Sequence, residues 1–171
     1  TLGRLEPCKD SVGGIIAIYI SNYTSGLLGT ATFSADDEIT AFAAPLTFYK
    51  YDLKGANSFE QTNENSRDNG TSFWTQTGTI VLKKQDLATR KEMKLLSYGR
   101  PQIIVQDYNG NYYLAGIENG CEVAANTATG ATMGDLNGYN ITFTGTEKTP
   151  AYFVDSAIIG DTTNTVVVVG A

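Results

Sequence analysis

Apolar and polar positions alternate along most of this chain in short runs broken by Gly, Asn and Pro, the two-residue period of half-buried β-strands. Residues 13 to 23, GGIIAIYISNY, are a mostly apolar opening strand. Residues 38 to 53, EITAFAAPLTFYKYDL, alternate around Pro45, which belongs at a sheet edge or bulge because it lacks an N–H. A long hairpin is predicted over 58 to 82, SFEQTNENSRDNGTSFWTQTGTIVL, with a polar turn and its apolar base at Ile80, Val81 and Leu82. Residues 82 to 99, LKKQDLATRKEMKLLSYG, hold good helix formers throughout and are closed by Gly99 and Pro101. One helix is predicted there, with Leu87, Met93, Leu95 and Leu96 as its apolar stripe. Strand patterning then returns: a hairpin over 101 to 117 turning at Asn109-Gly110, a second Asn-Gly turn at 119 and 120, and strands within 138 to 147 and 151 to 155. The tail at 162 to 171, with four valines in a row, needs a strand partner in this chain or another. The predicted class is α+β, mostly β: an antiparallel β-sandwich or open barrel with one flanking helix and a long protruding β-hairpin. A single domain covers 1–171, with an N-terminal arm (1–12) and a C-terminal extension (157–171).

The hairpin is long for such a domain. From Ser72 to Leu82 it spans about 35 Å at roughly 3.3 Å per residue, against a domain about 40 Å across. Phe59, Phe73 and Trp74 are its large apolar groups away from the base, and Glu60, Gln61, Thr62, Asn63 and Glu64 make both faces of one arm polar. A lone two-stranded ribbon is marginal in water, and pairing with equivalent ribbons in a closed ring would remove its edges. The alternative is that the ribbon lies over its own sheet.

Charge and composition narrow the chemistry. Twelve Lys and Arg against eighteen Asp and Glu give a formal charge of −6, the wrong sign for tight phosphate binding. Residues 83 to 100 hold six of those cations against Asp86 and Glu92, so a basic segment sits on an acidic body, as a solvated helix face or as a patch meeting a neighbouring copy. The chain has no histidine, which excludes histidine triads, dyads, general bases and zinc ligands. Cys8 and Cys121 are far apart and read as buried free thiols, suited to assembly in a reducing cell. Asp107, Asn109 and Asn111, like Asp135 and Asn137, space oxygen ligands as calcium loops do but lack the trailing Glu; Asn-Gly hairpin turns are the expected outcome. No carboxylate pair or phosphate loop stands out, so no catalytic residue, metal or cofactor is expected. No apolar run reaches the roughly 18 residues of a membrane span, and no signal peptide is expected at the N-terminus.

The segments PCKDSVGGI, YDLKGANSFEQTNENSRDNGTSFWTQTGTIVLKK, PQIIVQDYNGNYYLAGIENGCEV and TGATMGDLNGYNITFTGTEKTPAYFV, with the helix between, resemble tail-tube-like structural proteins of tailed bacteriophages, including crAss-like phages of Bacteroidetes hosts. The likeness covers most of the chain and is weakest after residue 156. It implies a virion protein, assembled in the host cytoplasm, whose hairpins join in a ring of six or twelve copies around a DNA channel in a tail tube or head-tail collar. Its partners would be itself, adjacent tail or connector rings, and DNA in transit, with no membrane. The resemblance makes Glu60, Thr62, Glu64, Asp68, Thr75 and Thr77 lumen-lining residues, with the inward parity open, because a one-residue slip exchanges the faces. Phe59, Phe73, Trp74, Lys91 and Lys94 are expected between subunits. A second reading, from ten tyrosines and one tryptophan, is a monomeric carbohydrate- or receptor-binding β-sandwich. A carboxylate-based hydrolase is the third.

Overall fold

The structure is a computed structural model and describes residues 3–170. The outermost residues of the expected arm and extension, at 1, 2 and 171, lie outside that range. The fold is mostly β, with two sheets. The larger sheet contains β1 (Ile15–Ser21), β2 (Thr32–Phe33), β3 (Glu38–Ala41), β4 (Leu46–Asp52), β7 (Gln102–Asp107), β8 (Tyr112–Ala115), β11 (Tyr152–Val154) and β12 (Thr165–Val169), in the order β12-β4-β1-β7-β8-β11-β3-β2. The smaller has β5 (Ser58–Ser66), β6 (Thr71–Lys83), β9 (Cys121–Ala128) and β10 (Gly138–Glu147), in the order β5-β6-β10-β9. A four-residue helix, α1 (Leu27–Thr30), follows β1, and α2 (Leu87–Leu96) follows β6.

β1 and β7 are apolar on both faces because both are covered. One core cluster joins Ile18, Ile103 and Val105 of the larger sheet to Ile80, Ile141 and Phe143 of the smaller. The other, on the far face of the larger sheet, joins Ala17, Tyr19, Ile104 and Leu114 to Phe42, Val154 and Ile158. α2 starts at Asp86, whose carboxylate accepts the Ala88 N–H at 3.1 Å, and it drives Met93 and Leu96 into the first cluster.

Several expectations are corrected. The hairpin is no lone ribbon, because β6 pairs with β10 over ten residues, from Gly138↔Lys83 to Glu147↔Trp74. The valine tail finds its partner at home, as β12 runs parallel to β4; β11 and β3 are also parallel, so the larger sheet is mixed. Pro45 separates two strands, and Asn164 bridges the break by accepting the Phe42 N–H on its side chain and the Leu46 N–H on its carbonyl. The helix is shorter than 82 to 99, and its stripe is narrower: Leu87 and Leu95 are exposed, since only one side of α2 meets the core. Cys121 is buried, but Cys8 is exposed on the arm.

Gly78 marks a close approach within the smaller sheet. It lies opposite Phe143 on β10 and Phe59 on β5, and a Cβ there would run into the Phe143 ring. Gly78→Ala is expected to destabilise the protein by about 1–3 kcal/mol through overpacking. Thr79→Ala, on the opposite face, should stay within about 0.5 kcal/mol. Urea unfolding of both variants checks the contrast.

Candidate functional site

The uninterrupted registers of the smaller sheet assign its two faces. Phe59, Gln61, Gln76, Gly78, Ile80, Ile141 and Phe143 belong to the face toward the core. The opposite face carries the even positions of β5, the odd positions of β6, and Thr142, Thr144 and Thr146 of β10. One row across it reads Glu60, Thr77, Thr144, Glu122; the next pairs Thr62, Thr75 and Thr146. Thr75 donates its hydroxyl to Glu64 at 3.0 Å across the strands. From Thr71 to Val81 of β6 and their cross-strand partners, the charges on this outer face are Glu60, Glu64 and Glu122, with Lys83 at its lower end. The face is hydroxyl-rich and anionic, so it hydrates well and repels phosphate.

Five of the six predicted lumen residues, Glu60, Thr62, Glu64, Thr75 and Thr77, therefore share one face, and Asp68 sits in the exposed turn beyond it. The predicted contact residues scatter. Phe59 is half-buried, with its ring centroid 6.0 Å from Phe143 and 6.1 Å from Tyr113, and it also lines the cleft at the β5 edge. Trp74 is half-buried on the core side opposite Asn63 and Glu147, while Phe73 is half-buried on the outer face opposite Glu64. Lys91 and Lys94 are exposed on α2, with no ion-pair partner among the described residues. The contributions of β10 and β9 were missed, although the alternation ITFTGT at 141 to 146 is a legible signal for them.

Both lateral edges of this sheet are open. No backbone hydrogen bond beyond the ladder is made by residues 58–66 of β5 or 122–127 of β9 among the described residues. Beside β5 lies a cleft of about 380 Å³ lined by Phe59, Val105 and Tyr113. On the opposite flank α2 and its cations lie beside β9, with Met93 packed in the same core cluster as Val123.

The upper end of the sheet is held by two buried polar side chains. Gln76 accepts the Gly116 N–H at 3.0 Å and donates to the Thr149 carbonyl at 3.3 Å. Glu147, 1% exposed, accepts the Glu118 and Asn119 N–H groups on one oxygen, and its other oxygen has no protein partner. Burial raises the Glu147 pKa above its ordinary 4.5, against the lowering effect of those two N–H groups. Burial also pushes the neighbouring Cys121 thiol up to about 12, with the Glu147 charge adding to it. The 107 to 111 segment is the expected Asn-Gly turn, between antiparallel β7 and β8. Asp107 accepts from the backbone and side chains of Asn109 and Asn111, which together outweigh the raising effect of burial and hold its pKa below the usual carboxylate value. No group of three or more His, Cys, Asp or Glu side chains gathers as a metal site among the described residues, and no described helix is long and apolar enough to cross a membrane. No protein-family model, curated protein or solved structure matches the chain.

The raised Glu147 value has a pH consequence. A carboxyl whose folded pKa exceeds its unfolded one stabilises the fold when protonated, and that contribution is lost as pH rises through the folded value. The depressed Asp86, Asp107, Asp135 and Asp161 act the opposite way, losing their contribution only as pH falls through values below 3.8. The Glu147 contribution is therefore expected to grow as pH falls from neutrality through its raised folded value, and Glu147→Gln to remove that growth. Denaturant midpoints of both proteins, followed across that descent, measure it.

Proposed function

We propose that the protein is a virion structural subunit of a tailed phage, closing into a ring, in a tail tube or head-tail collar, around a channel through which DNA passes. The observation that carries this reading is the outer face of the four-stranded sheet, a hydroxyl-and-glutamate surface bounded by two unpaired strand edges. β5, β6, β10 and β9 alternate in direction. Copies oriented alike about a ring axis would thus bring β9 of one against β5 of the next in antiparallel sense. Such head-to-tail pairing leaves no edge open once the ring closes. A sixfold ring of such sheets has about 24 strands, which at roughly 4.8 Å apiece enclose a circle about 37 Å between backbones before strand tilt widens it. The sequence resemblance to tail-tube-like proteins points the same way. Adjacent tail or connector rings would then meet the two axial ends.

The chemistry suits a conduit. A wall with fixed cations would hold DNA through counterion release, whereas Glu60, Glu64 and Glu122 among threonines repel the backbone and stay wet. On the flank, Lys91 and Lys94 favour an acidic neighbour. A carbohydrate-binding monomer has less support. The exposed Tyr23, Tyr49, Tyr98, Tyr108 and Phe153 lie at separate places in the fold, and no two of them pair.

Light scattering of the purified protein tests the ring: closed oligomers are expected, with Lys91→Glu plus Lys94→Glu shifting them toward monomer at low salt. A monomer at every concentration would overturn the reading in favour of the binding module. Replacing Glu60, Glu64 and Asp68 by Lys should leave assembly intact yet make the rings retain duplex DNA, with a log-affinity slope of about −0.9 per phosphate contact against log salt. Assembled rings of the Lys variant that ignore DNA would remove these side chains from the lumen.

A further inference from the structure

The flank of α2 carries an apolar groove that the ring reading does not use. Two adjoining depressions of about 280 and 530 Å³ share Tyr49, Tyr51 and Glu92. Their floor is the edge of the larger sheet, with Ile20, Tyr49 and the exposed Val168, and their wall is α2, with Leu95 and Leu96. Tyr49 and Val168 are cross-strand partners on β4 and β12, so the valine edge and the tyrosine form one strip. Its rim carries Glu92, bonded to the Tyr51 hydroxyl at 2.6 Å, Asp86, and Asp52, which pairs with Lys50 at 3.0 Å, so Glu92 and Asp86 are its acids without a cation partner among the described residues.

The opposite flank carries a segment of matching chemistry. Residues 3–13 are all exposed and form no helix or strand, and Leu5 is 92% exposed between Arg4 and Glu6. This arm leaves the body at a fixed point. Asn109 donates to the Val12 carbonyl at 2.8 Å and accepts the Val12 N–H at 2.9 Å, in the turn beside the β5 cleft. From Val12 to Leu5 the chain reaches roughly 23 Å when extended, and Pro7 favours extended backbone at Glu6.

We infer that this groove is a docking site for the N-terminal arm of a neighbouring copy, with Leu5 seated against Tyr49 and Leu95 in the first depression and Cys8 passing beside Val168 in the second. The inference rests on the proposed ring, in which the β5 flank of one copy faces the α2 flank of the next; the anchor is on the first flank and the groove on the second. The arm's charges alternate, Arg4 and Lys9 with Glu6 and Asp10, so its two cations can meet Glu92 and Asp86 while Leu5 covers apolar surface that both flanks otherwise leave in water.

The native cysteines make the test direct, because Cys8 is exposed and Cys121 buried. Val168→Cys places a second accessible thiol in the groove, and Ser156→Cys places one outside it. Under mild oxidation of the assembled protein, Val168→Cys is expected to give disulfide-linked dimers and higher multimers on non-reducing gels. The yield should be on the order of a hundredfold above the Ser156→Cys control, as a tethered encounter exceeds a free one. Adding Cys8→Ser or Leu5→Asp should abolish that excess. Rings that form by light scattering but give no excess over the control overturn the docking site and leave the ring standing. A disulfide confined to monomers means that the arm fills its own groove, which also overturns the inference. Failure to associate at all sinks the ring and the docking site together.

Discussion

Ten consecutive cross-strand pairs between β6 and β10 fix which side of each strand meets the core, and the remainder of the molecule follows from that register. It sets Phe143 over Gly78, Ile141 against Ile80, and Gly145 beside Gln76, so that the smaller sheet can close on the larger one. A slip of one residue would turn the threonine row inward and expose Ile80, Ile141 and Phe143, an exchange the hydrophobic term forbids at about 1.5–3 kcal/mol for each large side chain. The polar outer face is thus the complement of the core pattern. Neither can change without the other.

The same alternation explains how much was legible in the sequence. Strands, the Asn-Gly turns, the hairpin and the Asp86-capped helix all announce themselves locally, through period two, positive-φ turn residues such as Gly110 and Gly120, or a capping carboxylate. Glu60, Thr62, Glu64, Thr75 and Thr77 are grouped by the resemblance to tail-tube-like proteins, and the fold brings them to one face because they keep step along two paired strands. Which face that is had no local signature. The packing of Phe59 had none either: it shares the core-facing parity with Gln61, and the rings beside it, Phe143 and Tyr113, are supplied by strands far along the chain. The partner of β12, the parallel pairs and the division at Pro45 rest on contacts between distant segments, which periodicity does not encode.

The polar groups inside the fold show what is conceded to hold the hairpin in place. Gln76 and Glu147 occupy positions on the core side of β6 and β10 where an apolar residue would pack more easily, and they use their hydrogen bonds to hold the 116 to 119 turn and the 149 crossing over the end of the sheet. Burying them costs desolvation, most for the Glu147 oxygen that finds no protein partner. In return the point where the hairpin passes beyond the end of β10 is tied to two separate segments, which keeps its direction fixed relative to the body.

The pairing of β12 with β4 bears on how the chain reaches this state. Leu46 must wait for Thr165, so the edge of the larger sheet is completed by a contact between opposite ends of the sequence. Loop-closure entropy makes such non-local pairings slow to form, on the millisecond-to-second scale of other non-local β topologies. Until the tail arrives, the outer edge of β4 is as bare as those of β5 and β9. Folding therefore passes through a stage in which β4, with its exposed Tyr49, is the edge of the larger sheet in place of β12, and resistance to association at that stage depends on how soon residues 165–169 join the sheet.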